Sequence, residues 1–294
     1  MKIARVAFLV ISITIIGFCA IKEHFLLKDY FFVLKDYPPF ASIKYSESGD
    51  GSVGAYFINL DKSIDRLTHI TPLVQKLNVK SERIAAVYGK ELSSNEKEKL
   101  VDRCKCNMLV YNNVGDGVIG CYLSHIKTWQ TFLESEHSYA LVLEDDADFD
   151  PKDMNELIPL LIEKNEKWDL VNIDTNNHGS PKVVSALGRR FTLVKFRSPI
   201  ELTSCYLINR TAAIKLLKKA LPILMPIDWY FTRHWEFGFK LRGVRPEIAK
   251  QQSEESDIDS QERRFTKLNA NFWGRISSGL SKRATQIAMF INAG

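Results

Sequence analysis

No Cys-x-x-Cys pair occurs in the 294 residues, and the five cysteines are an odd number. That count and spacing exclude a disulfide framework and a zinc module, and make a reducing compartment the simpler expectation. Cys104-Lys-Cys106 places two thiols where a soft metal can be chelated, although such pairs more commonly do nothing specific. Charge is not strongly skewed: 40 Lys and Arg against 35 Asp and Glu leave a formal net charge of +5. A glycine loop ending in a phosphate-cradling lysine is also missing, as are histidines placed as metal ligands near the acidic cluster described below. Both absences argue against a nucleotidyltransferase or a phosphohydrolase. Gly115-Asp-Gly-Val-Ile-Gly120 has dinucleotide-fingerprint spacing, but no predicted strand precedes it, and the fingerprint requires one.

What is present is an ordinary globular composition, 45% hydrophobic and 26% charged, with one large domain or two small ones expected. Residues 6–21 form a mostly apolar run behind Lys2 and Arg5, somewhat shorter than the ~20 residues of a spanning helix. Residues 25–35 are aromatic and cationic, the composition of a membrane-interface helix. Residues 1–35 are therefore expected to be an uncleaved anchor, with the protein at the cell inner membrane. Lysines and arginine on both sides of the run do not decide its orientation. Residues 36–53, with Pro38-Pro39, Gly49 and Gly51, read as a linker, 54–260 as the globular domain, and 261–294 as a basic amphipathic tail. The tail suits an anionic membrane surface better than nucleic acid, given an apolar run at the opposite end.

The domain opens with a buried strand ending at Asn59-Leu60. A helix follows, capped by Ser63 and running to about residue 77 with Pro72 inside it, and then a second strand over residues 83–87. This βαβ opening predicts a parallel, doubly wound sheet. Another helix is predicted over residues 121–135, with Tyr122, Ile126, Trp129 and Leu133 facing the core. The chain is organised around Tyr139-Ala-Leu-Val-Leu-Glu144-Asp145-Asp146-Ala-Asp148-Phe-Asp150, an apolar run ending in five carboxylates within seven residues. A buried strand ending in crowded carboxylates places negative charge where α/β proteins gather ligands. The carboxylates require a cation or strong donors to stay ionised, and Mg²⁺ or Mn²⁺ held with a substrate's phosphates suits such an oxygen-rich site. A solvated acidic loop is the competing reading. Farther on, Asp228 follows Pro226 and precedes three aromatics, as a general base or as a helix N-cap.

In order, these segments resemble glycosyltransferase family 25, the bacterial lipooligosaccharide galactosyltransferases and their procollagen galactosyltransferase relatives. The matching residues are Phe57-Ile-Asn-Leu-Asp61 with Asp65-Arg66, then Ala86-Val-Tyr-Gly89, Gly120-Cys-Tyr-Leu-Ser124-His125 with Trp129, and Leu143-Glu-Asp-Asp146. They continue with Ser204-Cys-Tyr-Leu-Ile-Asn-Arg210, Pro226-Ile-Asp228, and Pro246-Glu-Ile with Gln251, Gln252 and Ser256-Asp-Ile258. Two positions depart from the family pattern. Val118 stands where an acidic residue is usual, and Tyr88 where Asp or Asn is usual before the glycine.

The resemblance implies a GT-A-like, doubly wound and mostly parallel α/β sheet, a nucleotide-sugar donor (usually UDP-galactose), and inversion at the anomeric carbon. It implies Mn²⁺ or Mg²⁺ at Asp146, with Asp148 completing an Asp-x-Asp pair. Glu144, Asp145, Asn59 and Arg66 would lie around the nucleotide, and Asp228 would be the catalytic base. Ser124 and His125 would support the acidic strand end, and Asp150 would be solvated. The acceptor would be a glycan or glycolipid of the cell surface such as lipopolysaccharide, with no nucleic-acid partner. A membrane-anchored glycan-assembly protein that kept the fold without turnover is the alternative.

Overall fold

A computed structural model describes residues 44–109, 114–174, 181–196 and 202–252. Its centre is an eight-stranded sheet in the order β2-β1-β3-β8-β5-β9-β7-β6. The strands are β1 (Val53–Asn59), β2 (Lys80–Ala85), β3 (Tyr139–Glu144), β5 (Leu170–Asn172), β6 (Lys182–Leu187), β7 (Phe191–Lys195), β8 (Cys205–Asn209) and β9 (Leu241–Arg245). A separate antiparallel pair joins β4 (Ala147–Phe149) to β10 (Ala249–Gln251).

The βαβ opening forms as the pattern requires: β1 pairs in parallel with both β2 and β3. The expectation of a mostly parallel sheet is overturned beyond that point. β8 runs antiparallel to both β3 and β5, and β7 runs antiparallel to both β6 and β9, leaving β5–β9 as the other parallel pair. The sheet is mixed because β8 enters its middle from the opposite direction and β6–β7 is a hairpin. Gly188 in that hairpin's turn has φ 62°, a left-handed conformation that glycine adopts without steric cost.

The apolar run of β3 is continuous because both of its faces are covered. Ala140 and Val142 join a core with Tyr56, Ile58, Trp129, Tyr206 and Phe231. Leu141 and Leu143 join the opposite core with Phe57, Ile70, Met154, Leu157 and Trp168. Helix α4 (Asp116–Glu134) packs on the first face, and Tyr122, Ile126, Trp129 and Leu133 are buried on it as their spacing predicts. It starts five residues before the predicted boundary, so the glycine-rich segment is helix rather than a loop ahead of one. A Cβ on Gly89 would lie 1.9 Å from the Asp116 carbonyl oxygen, and one on Gly120 would lie 2.5 Å from that of Val87. The missing side chains let the loop after β2 touch the start of α4.

Helix α1 (Ile64–Val74) continues through Pro72 and stops two residues later. Short helices α2 (Ser94–Leu100) and α3 (Arg103–Leu109) follow β2. Helix α5 (Pro151–Glu163) has Asp150 as its N-cap, Oδ1 accepting from the Lys152 amide, so Asp150 does more than sit in solvent. Helices α6 (Arg210–Lys218), α7 (Ile227–Thr232) and α8 (His234–Phe237) complete the chain's described helices.

The expected membrane anchor is not carried forward. Among the described residues no helix is long and apolar enough to cross a membrane. Residues 1–35, the expected anchor and basis of the inner-membrane location, lie outside the described residues, as does the basic tail at 261–294.

Candidate active site

The carboxyl end of β3 is where the chain's dispersed polar residues converge. Asn59, the last residue of the neighbouring β1, is buried, and its Nδ2 donates to Oδ2 of Asp145 at 2.8 Å and to the Ser63 carbonyl at 3.1 Å. Its Oδ1 accepts from Nε and Nη2 of Arg83 at 3.0 and 2.9 Å. Arg66 of α1 reaches Oδ1 of Asp145 at 3.3 Å. Asp145 is thus held by an amide and a guanidinium. Burial still raises its pKa, with Asn59 and Arg66 opposing the rise.

Glu144 points to the α4 side, continuing the face of Ala140 and Val142. Thr203 and His125 both bind its Oε1, His125 through Nε2 at 3.3 Å. Burial works to raise the Glu144 pKa, but the contacts with His125 and Thr203 and the charge of Arg66 outweigh it and leave it lowered. Behind His125, Nδ1 lies 2.9 Å from the Tyr206 hydroxyl, whose oxygen accepts from Trp129 Nε1 at 2.9 Å. Ser124 Oγ accepts from the Val87 amide and donates to the Gly120 carbonyl. His125 supports the acidic strand end as expected, and Ser124 instead ties the Tyr88 loop to α4. Histidine is therefore present beside the carboxylates, brought by the fold from outside their sequence neighbourhood.

Asp146 is buried, with 8% of its surface accessible. Gln251 Nε2 donates to its Oδ2 at 2.7 Å, and the Gln252 amide to its carbonyl at 2.9 Å. Its Oδ1 is buried and has no hydrogen-bond partner among the described residues. Burial, then the charge of Glu144, pushes Asp146 up to about 7, with Gln251 opposing. A divalent cation fits this arrangement, since it would satisfy the orphaned oxygen and offset the crowded negative charge. Asp148 lies on β4 opposite Lys250 of β10, with Nζ 3.3 Å from Oδ2. Cys121, His125 and Glu144 make a further group able to hold a metal, their ligand atoms all within 4.8 Å of one another.

Asp228 lies in the first turn of α7, whose N-cap is Pro226, so the cap reading fails. Its Oδ1 accepts from the Trp229 amide at 2.8 Å. After burial, the charges of Glu144, Asp228 and Asp146 all raise the pKa of the Cys121 thiol, so the three carboxylates act on one thiol.

Residues given no role from the sequence complete the site. Asp174, just past β5, is buried and accepts from Ser204 Oγ, and burial followed by the charges of Glu144 and Glu247 pushes it up to about 6. Arg83, Thr203 and Tyr206 join through contacts between segments far apart in the chain, for which one sequence carries no signal. Asp174 follows Leu170-Val-Asn-Ile173 and opens the polar run Asp174-Thr-Asn-Asn-His178, which is the signal the sequence offers for it.

The sequence model of Glycosyltransferase family 25 (LPS biosynthesis protein) matches residues 53–231. The chain belongs to glycosyltransferase family 25. A glycosyltransferase 25 family member of Drosophila pseudoobscura pseudoobscura is 27% identical over 205 residues, 64% of this chain and 32% of that protein. Procollagen galactosyltransferase 1 of Danio rerio is 26% identical over 180 residues, 59% of this chain and 30% of that protein. The chain thus spans about a third of the length of these curated relatives. Residues 1–349 of S. aureus TarS align at a TM-score of 0.41 with 12% identity, covering 82% of this chain and 71% of that one, a likeness too loose to bear on function. The family-25 match includes every acidic residue of the site from Glu144 to Asp228 and stops short of Gln251.

Proposed function

We propose that this family-25 chain is an inverting, metal-dependent glycosyltransferase, moving galactose from UDP-galactose to a cell-surface glycan such as lipopolysaccharide or lipooligosaccharide. The observation that carries the reading is the buried, unpartnered Oδ1 of Asp146 at a strand end crowded with carboxylates. The donor sugar and acceptor rest on the names of the family and of relatives such as the procollagen galactosyltransferase.

Asp146 would hold Mn²⁺ or Mg²⁺, with Asp148 as the second carboxylate. Lys250, 76% exposed at its side chain, is a weak competitor for Asp148 because solvent screens such a pair. The metal would supply positive charge to the departing diphosphate. Asp145, fixed by Asn59 and Arg66, and Glu144, fixed by His125 and Thr203, orient the nucleotide and the waters around it. Arg66 has the planar, permanently charged fork suited to diphosphate oxygens. Asp228 takes the proton from the acceptor hydroxyl as that oxygen attacks the anomeric carbon opposite the leaving group. The Trp229 amide fixes one carboxylate oxygen for that task.

Purified full-length chain, screened for transfer and hydrolysis of nucleotide sugars with Mn²⁺ or Mg²⁺, should turn over UDP-galactose. Asp146→Ala should abolish both transfer and metal-dependent donor binding with the fold intact by circular dichroism. Unchanged turnover in that variant would remove the metal assignment.

A further inference from the structure

We propose that Cys121, His125 and Glu144 form a second cation site, selective for a thiolate-seeking divalent ion such as Zn²⁺ and separate from the Asp146 position. Cys121 and His125 are four residues apart on α4, so their side chains project from one face, and Glu144 meets them from the end of β3. The three ligand atoms lie within 4.8 Å of one another, His125 Nε2 and Glu144 Oε1 at 3.3 Å. Tetrahedral Zn²⁺ with ordinary bond lengths holds its ligand atoms about 3.3–3.7 Å apart. Side-chain rotation of about an ångström therefore closes the set. Cys121 is half-buried and the Glu144 side chain is 22% exposed, which leaves an approach for the ion from one side.

The support around the ligands is that of a metal site. Tyr206 contacts the second ring nitrogen of His125, and Trp129 in turn fixes Tyr206, the kind of outer partner that orients a ligating imidazole. Negative charge from Glu144, Asp228 and Asp146 reaches the Cys121 sulfur. That field opposes a bare thiolate and favours one paired with a dication. The set of one sulfur, one nitrogen and one oxygen selects Zn²⁺ over Mg²⁺, which prefers all-oxygen ligands.

Binding is balanced as follows. The Cys121 thiol releases one proton to solvent, and its sulfur donates an electron pair to the ion. The ring proton of His125 moves from Nε2 to Nδ1 and there donates to the Tyr206 oxygen, whose own hydrogen turns away from the ring, while Nε2 binds the ion. A Glu144 oxygen supplies the third bond and water the fourth. Nothing is oxidised or reduced.

Cobalt alone, titrated into the reduced full-length chain, reads this site directly. The expected result is one equivalent of Co²⁺ giving a thiolate-to-cobalt charge-transfer band that Zn²⁺ displaces and Mg²⁺ does not. The band should be absent in Cys121→Ser, at least about tenfold weaker in affinity in His125→Gln, and retained in Asp146→Asn. Absence of the band, its survival in Cys121→Ser, or its loss in a folded Asp146→Asn chain would each overturn the proposal. Should Cys121→Ser not fold, Zn²⁺ should protect Cys121 of the wild-type chain from alkylation, read by peptide mass spectrometry, and full alkylation with Zn²⁺ present would overturn it. No sugar enters these measurements, so a chain without transferase activity would still decide them.

Discussion

The hydroxyl of Tyr206 stands 2.9 Å from Nδ1 of His125, and it decides which nitrogen of that ring carries the proton. Trp129 Nε1 only donates, so the Tyr206 oxygen accepts from it and its own hydrogen goes to Nδ1. Nε2–H then points at Glu144. Four side chains from α4, β8 and β3 thereby form one directional chain of hydrogen bonds leading to the acidic centre.

Tyr206→Phe should break that chain at its middle while keeping the ring's volume. Two buried groups, Trp129 Nε1 and His125 Nδ1, lose their partner, and the cost should be about 1–3 kcal/mol in urea denaturation. Nitrogen chemical shifts of His125 should show the ring protons redistributed between its two nitrogens. An unchanged tautomer would mean that Glu144 alone sets it.

Asp228→Asn should lower kcat for sugar transfer by about 10²-fold or more, the scale of a lost general base, with little effect on donor KM. A raised KM with unchanged kcat would make Asp228 a binding group. The comparison is made by steady-state kinetics with donor and acceptor varied separately.

Asp174 should leave a signature in the pH dependence of stability. In the folded chain it holds its proton up to about pH 6, whereas an unfolded aspartate releases it near about 3.9. The folded state binds the extra proton between those values, so this group's contribution to stability falls as pH rises from about 4 to 6, by at most about 3 kcal/mol. Asp174→Asn removes the titration. Its stability relative to wild type should therefore rise across that window, as read from urea midpoints at a series of pH values, and a constant difference would contradict the placement.

Arg210, buried at the start of α6, should be the most sensitive cation for folding among the described residues. Its Nη1 donates to the carbonyls of Ser135 and His137 at 3.0 and 2.9 Å, Nη2 to Leu133 at 2.6 Å, and Nε to Ser46 at 2.6 Å. It gathers the carbonyls at the C-terminal end of α4, where a cation is favoured by the helix dipole. Arg210→Met strands them, and a loss of about 3 kcal/mol or more is expected in thermal or urea unfolding. Arg210→Lys should recover only part, because one ammonium cannot span the same carbonyls.

The elements legible in the sequence are those whose signal is local. The run at β3 declares burial by its unbroken apolar character and the stripe Tyr122, Ile126, Trp129, Leu133 by its spacing, and both are buried. β6 escaped because an edge strand with Val183 exposed and Ser185 half-buried shows no alternation. β10 escaped because its three residues form a strand only against β4. The direction of β8 depends on which strands it lies between, and Cys205-Tyr-Leu-Ile reads the same in either sense. The acidic centre was legible as a cluster, whereas its supports were not: Arg83 and Thr203 meet Asn59 and Glu144 across 24 and 59 residues of chain.

The pairing of β10 with β4 has a consequence for biosynthesis. Gln251, the last residue of β10, supplies the donor to Asp146, while Asn59, at the end of the first strand, secures Asp145. The two ends of the described chain meet at adjacent carboxylates, so the centre stays incomplete on the ribosome until residue 252 has emerged. A nascent or truncated chain ending before Ala249 would retain all eight strands of the main sheet and yet lack the closing side of its acidic centre.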